Sequence, residues 1–177
     1  MKKIILILLF LSGCLLAPEK MDPLGQEEAL YSVPANEVTV VSMAPSFDAL
    51  PHVEKRLPLP PDEAVSLWVK KYVQTAEEVS DKLVIVIHQA DVLLEEKKAP
   101  HWFDFDREIY TLTYHLEVQL RHQTRLIKKS SVRGKGFVDV AKKASLATKE
   151  KNWNQLIQKM LIHLKTQIKA DFNNDVR

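Results

Sequence analysis

Six histidines (His52, His88, His101, His115, His122 and His163) and a single cysteine, Cys14, are the side chains best suited to metal binding or nucleophilic chemistry. The histidines form no HExxH, HxH or other tight ligand spacing, so no metal site is expected. His88 and Asp91 stand three residues apart on a strand, and strict alternation puts them on opposite faces. His115 lies two residues from Glu117 on one face, where a solvated pair is expected. An enzyme would need two or more of His88, Asp91, His115 and Glu117 to converge in a cleft. Ser130-Ser131-Val132-Arg133-Gly134 lacks the first glycine of a nucleophile elbow. Gly134-Lys135-Gly136 is too glycine-poor for a phosphate loop. Asp104 and Asp106, set among Phe103 and Phe105, read as a charged hairpin rather than an acid/base pair. No enzyme activity and no dissociable cofactor are expected.

The thiol has a different context. Lys2-Lys3 precede an unbroken apolar run from Ile4 to Leu11, and Ser12-Gly13 lead into Cys14. A basic start, a short apolar core and small residues make an export signal. The run is well short of the ~20 apolar residues of a spanning helix. Leu11-Ser12-Gly13-Cys14 resembles the lipobox of bacterial lipoproteins. The resemblance implies removal of residues 1–13, a diacylglycerol on the Cys14 sulfur and an acyl chain on its new amino terminus. The alternative is an ordinary signal peptide in which Cys14 is one more apolar residue. Each buried CH₂ contributes about 0.8 kcal/mol, and stable anchoring takes more than one chain, which three acyl groups provide. In that family an Asp just after the cysteine can retain the protein at the inner membrane; here Leu15 and Leu16 follow, which favours the outer membrane.

Removing residues 1–13 removes Lys2 and Lys3 from 25 basic side chains, leaving 23 against 23 acidic ones. The processed chain is close to neutral, which argues against a nucleic-acid partner. With Cys14 acylated no thiol remains for a disulfide, and stability must come from an ordinary core.

The elements that must position these residues follow from periodicity. Residues 14–36, with Pro18, Pro23, Gly25 and Pro34, read as a flexible tether, and residues 37–177 as one α+β periplasmic domain. Glu37 to Met43 is β-branched and reads as a first strand. Residues 44–61 carry five prolines and read as an extended connection that could follow a sheet edge. Asp62 to Glu78 reads as a helix with Ala64, Leu67, Trp68, Tyr72 and Ala76 inward. Lys82 to Glu95 reads as an inner strand, apolar on both faces in its first half. Residues 95–107 form a charged hairpin. Glu108 to Arg121 alternates cleanly, with Tyr110 to Leu120 inward. Arg125 to Ala141 reads as a strand bent or bulged near Gly134 and Gly136. Ser145 to Phe172 reads as a long amphipathic helix, capped by Ser145 or Thr148. The expected fold is a two-layer α+β sandwich, β-α-β-β-β-α, with a mostly antiparallel sheet and two helices on one face.

That order, the length and the lipobox resemble small envelope-transport accessory lipoproteins, LptE-like or PqiC-like auxiliary lipoproteins of lipid-transporting ABC systems. The resemblance implies an accessory role in lipid, lipopolysaccharide or outer-membrane protein handling; no functional residue of either family maps onto this chain. Arg125, Lys128, Arg133 and Lys135 are the candidate partner contacts, with Trp102 and Phe103 next. The basic residues could instead deter edge pairing of the last strand. The loop aromatics could touch a membrane or partner, or close one end of the core. The other functional expectation is a lipid or small-ligand pocket between helices and sheet, near Trp68 and Tyr114.

Overall fold

The computed structural model describes residues 24, 31–76, 80–102 and 104–172. The lipobox residues, Cys14 and Phe103 lie outside them. The chain forms β1 (Tyr31–Val33), β2 (Glu37–Ser42), a short 3-10 turn (Glu54–Arg56), α1 (Pro61–Tyr72), β3 (Val73–Thr75), β4 (Asp81–Lys97), β5 (Arg107–His122), β6 (Arg125–Ala141) and α2 (Leu146–Phe172). The main sheet has the order β2-β4-β5-β6, and β1 and β3 form a separate two-stranded sheet. β2 runs parallel to β4; the other two pairings are antiparallel. The fold is an α+β two-layer sandwich with both helices on one face of the sheet.

That face is the core. Leu83, Ile85 and Ile87 from β4 pack with Tyr110 through Leu120 of β5, Trp68 of α1, and Trp153, Ile157, Met160, Leu164 and Ile168 of α2. Trp68 and Met160 are almost wholly buried. Prolines 60 and 61 enter α1, and Asp62 and Glu63 complement its dipole. Ser145 accepts the Thr148 N–H at 3.2 Å, so Ser145 is the cap of α2.

Several expectations are corrected. Ahead of β2, Val33 and Ala35 are buried, and Leu24 joins the same core. α1 stops at Tyr72 and not at residue 78, because Val73–Thr75 pairs in parallel with Tyr31–Val33; a tertiary strand partner overrides local helix propensity. Leu67 is outward and exposed, while Val65 and Val69 turn inward. The connection before α1 does follow a sheet edge. Backbone bonds Val53 N–H to Val92 O and Leu94 N–H to Pro51 O seal β4 beyond β2. The two glycines of β6 mark no bulge. The register slips instead between Leu120 and Arg121 of β5. Gly134 is needed for space, since a Cβ there would sit 2.2 Å from the Tyr114 hydroxyl; one at Gly136 would meet only the tip of Leu156, at 3.2 Å. β4 is apolar on both faces near its start, but Val84 and Val86 meet no second layer among the described residues; Val86 is buried outside the core cluster, in register with Glu117.

Candidate functional site

The face of the sheet away from the helices is where the polar chemistry collects. Its composition depends on one irregularity. β4 pairs Ile87 with Leu116 and Gln89 with His115, leaving His88 as an extra residue. Such a bulge reverses the alternation beyond it. Core-facing positions are odd up to Ile87 and even from Ala90 onward. His88 and Asp91 therefore share the open face, against the strict-alternation expectation.

The bulge also brings His88 to β5. Its ring stacks on His115 with centroids 4.8 Å apart, and its Nε2 lies 3.5 Å from Glu117 Oε2. Glu117 is only 7% exposed despite facing outward. Lys129 on β6 reaches it at 2.7 Å, and the Gln119 amide donates to its other oxygen. Arg121 Nε extends the chain to Gln119 at 2.8 Å. His115 Nε2 and Ser131 Oγ are 3.1 Å apart. The lysine bond holds the Glu117 carboxyl below the usual range, against a smaller opposing effect of burial. Partial burial, then the neighbouring Arg133 guanidinium and His88 ring, hold the His115 imidazole below its ordinary value.

Three of the four groups considered for an enzyme, His88, His115 and Glu117, thus converge, as a polar ladder on a sheet surface. A shallow depression of about 500 Å³ lies beside it, lined by Gln89, Thr113, His115, Arg133 and Lys135 among others. Among the described residues no three groups are placed to hold a metal ion.

The expected contact residues separate. Arg133 and Lys135 stand on the open face of β6, exposed, and neither bonds a carboxylate among the described residues. Arg125 is exposed at the β5–β6 turn. Lys128 faces the helix side; its ammonium bonds the Asp171 carbonyl and lies 5.6 Å over the Phe172 ring. It closes the end of α2, where cations complement the dipole. Trp102 is 94% exposed and closes no core. Phe105 is also exposed, under the Lys143 ammonium.

Periodicity did not reveal a second feature, on the helix side of β6. Tyr114 crosses over Gly134 and its hydroxyl lies 2.6 Å from His163 Nδ1 on α2. The facing of an aromatic and a glycine across paired strands was the available signal. Beside it opens a cleft of about 290 Å³, lined by Leu112, Tyr114, Lys135, Gly136, Leu156, Lys159, Ile162 and His163. It lies at the sheet edge rather than under Trp68.

No family model matches the sequence, and no curated protein matches it. Several solved structures are similar in outline. A minor lipoprotein from Acinetobacter baumannii shares 12% identity over 78% of this chain and 93% of its own, with a TM-score of 0.46. An uncharacterized lipoprotein B from Nitrosomonas europaea shares 12% over 82% and 90%, with a TM-score of 0.43. The rare lipoprotein B from Shewanella oneidensis shares 12% over 76% and 96%, with a TM-score of 0.36. At such values the likeness carries no argument about what this chain does.

Proposed function

We propose that this chain is a bacterial lipoprotein, anchored through acylated Cys14 and acting as a non-enzymatic accessory protein of the cell envelope, LptE-like or PqiC-like in role. The lipid fixes its location and raises its effective concentration, and the sheet binds the partner. The outer membrane is the favoured address, because Leu15 and Leu16 follow the cysteine. One observation carries the docking reading. Two helices cover one face of the sheet, no described residue layers the other, and Arg133 and Lys135 stand there without carboxylate partners among the described residues. The small edge cleft gives less support to a lipid-carrying role, since ligand pockets start near ~300 Å³ and enclose most of the ligand.

The test is affinity purification of the acylated protein from membranes, with mass spectrometry. An envelope component enriched above a lipid-anchored control is expected; enrichment no greater than that control sinks the accessory reading. Cys14→Ser should abolish acyl labelling and release the domain from membranes. Retention without labelling would point to another anchor.

A further inference from the structure

The two edges of the main sheet are not equivalent. On one side the edge is made by β2, only six residues long, and then by Pro51 to Val53, which are joined to Val92 and Leu94 by backbone bonds. On the other side β6 presents 17 residues with no strand beyond it among those described. Unpaired N–H and C=O groups on a long edge are a template for strand addition.

The side chains along β6 restrict what can be added. In register, its open face carries Lys129, Arg133, Lys135, Phe137 and Asp139. Lys129 is held by Glu117, and Asp139 by Arg107 at 2.6 Å. Arg133 and Lys135 are left two residues apart on one face, with exposed Phe137 next. An antiparallel second copy of β6 centred here would set these cations against each other, and like charges directly opposite are destabilising. On the helix face Gly134 and Gly136 have no side chains, and the Leu112–Leu156–Ile162 cleft opens beside Gly136.

The geometry points to β6 as a strand-addition site for an extended acidic segment of another protein. That segment carries two Asp or Glu residues at alternate positions, opposite Arg133 and Lys135. An apolar side chain on its other face leans over Gly136 into the cleft. Backbone bonds supply affinity, while the charges and the cleft supply specificity. This deepens the docking reading and rests on it.

The test is photo-crosslinking of the full acylated protein in its native membranes. A photoreactive phenylalanine analogue replaces Ile127 or Phe137 on β6, and Thr39 on β2 as the control. Expected are adducts from the β6 positions whose sequenced segment bears alternating acidic residues. Arg133→Glu with Lys135→Glu should cut their yield by about ten-fold or more. Gly136→Leu, which fills the cleft, should cut it as well, with folding checked by circular dichroism. Adducts with lipid, with a second copy of this chain or with a segment lacking acidic residues overturn the proposal, as do adducts insensitive to the charge reversal. If β6 gives no adduct while the acylated protein still captures an envelope component, the strand-addition site is wrong and the accessory role stands. If capture fails too, both fall.

Discussion

His115 is influenced by several groups at once. Partial burial, the Arg133 guanidinium and the stacked His88 all disfavour its protonation, and Glu117 opposes them. Arg133→Ala removes one of these positive influences, so the His115 pKa should move up toward its ordinary value of 6.5. An NMR titration of the imidazole reads this directly; an unmoved midpoint would mean that the guanidinium lies away from the ring in solution. Glu108 is the other informative residue. Burial pushes its carboxyl up, but Lys149 at 2.7 Å and the Tyr110 hydroxyl at 2.7 Å together carry it below the usual value of 4.5. A carboxyl depressed in the folded state stabilises that state fully above its unfolded pKa, and the contribution is lost as pH falls through the folded pKa. Glu108→Gln should therefore cost about 1–3 kcal/mol at pH 7. It should also lose less stability than the parent between pH 5 and pH 3, measured by urea denaturation. These contacts were not readable in the sequence: Glu108 looked like the polar start of a strand, and Lys149 is 41 residues away.

At the scale of elements, α2 and β6 are locked by a glycine and an aromatic. Tyr114 lies directly opposite Gly134 in the β5–β6 register and reaches His163 across it. Gly134→Ala places a methyl against the phenol, with ring carbons at 2.4 and 2.9 Å, so the ring must move and the His163 bond with it. A loss of about 1–3 kcal/mol is expected, as for other overpacked sites. The double variant Gly134→Ala/Tyr114→Leu should lose less than the sum of the two single variants in thermal unfolding. Strict additivity would mean that the clash is relieved elsewhere. The strand bounds of β6 were read correctly, while the purpose of its glycines was not. Composition shows that a glycine interrupts a strand; only the partner opposite it shows whether a bend or a close approach requires it.

Over the whole molecule the sheet has a direction. Tyr31 of β1 lies under the Lys165 ammonium of α2, and the Asn36 N–H bonds the Asp81 carbonyl. That is the end holding the β5–β6 turn. The hairpin with Trp102 is at the other end, roughly 50 Å away along the 16 residues of β5. If the proposed anchor at Cys14 tethers the domain by its Tyr31 end, Trp102 faces away from the membrane. Trp102→Cys carries the sole free thiol of an acylated chain. A nitroxide placed there should respond to a water-soluble relaxation agent and not to oxygen in the bilayer; the reverse result would mean that the domain lies with its hairpin on the lipid. The sequence alone determined the four main strands, the two helices and their layering. Each of these rests on local spacing or on composition, which a linear chain records in full. The tertiary structure decided which histidines meet, since one extra residue in β4 reverses the faces beyond it. It also decided that Lys128 closes a helix while Arg133 and Lys135 stay open, and that β6 is the long edge of the main sheet and β2 the short one. Those outcomes depend on pairing register and on partners tens of residues away, and local periodicity carries no information about either.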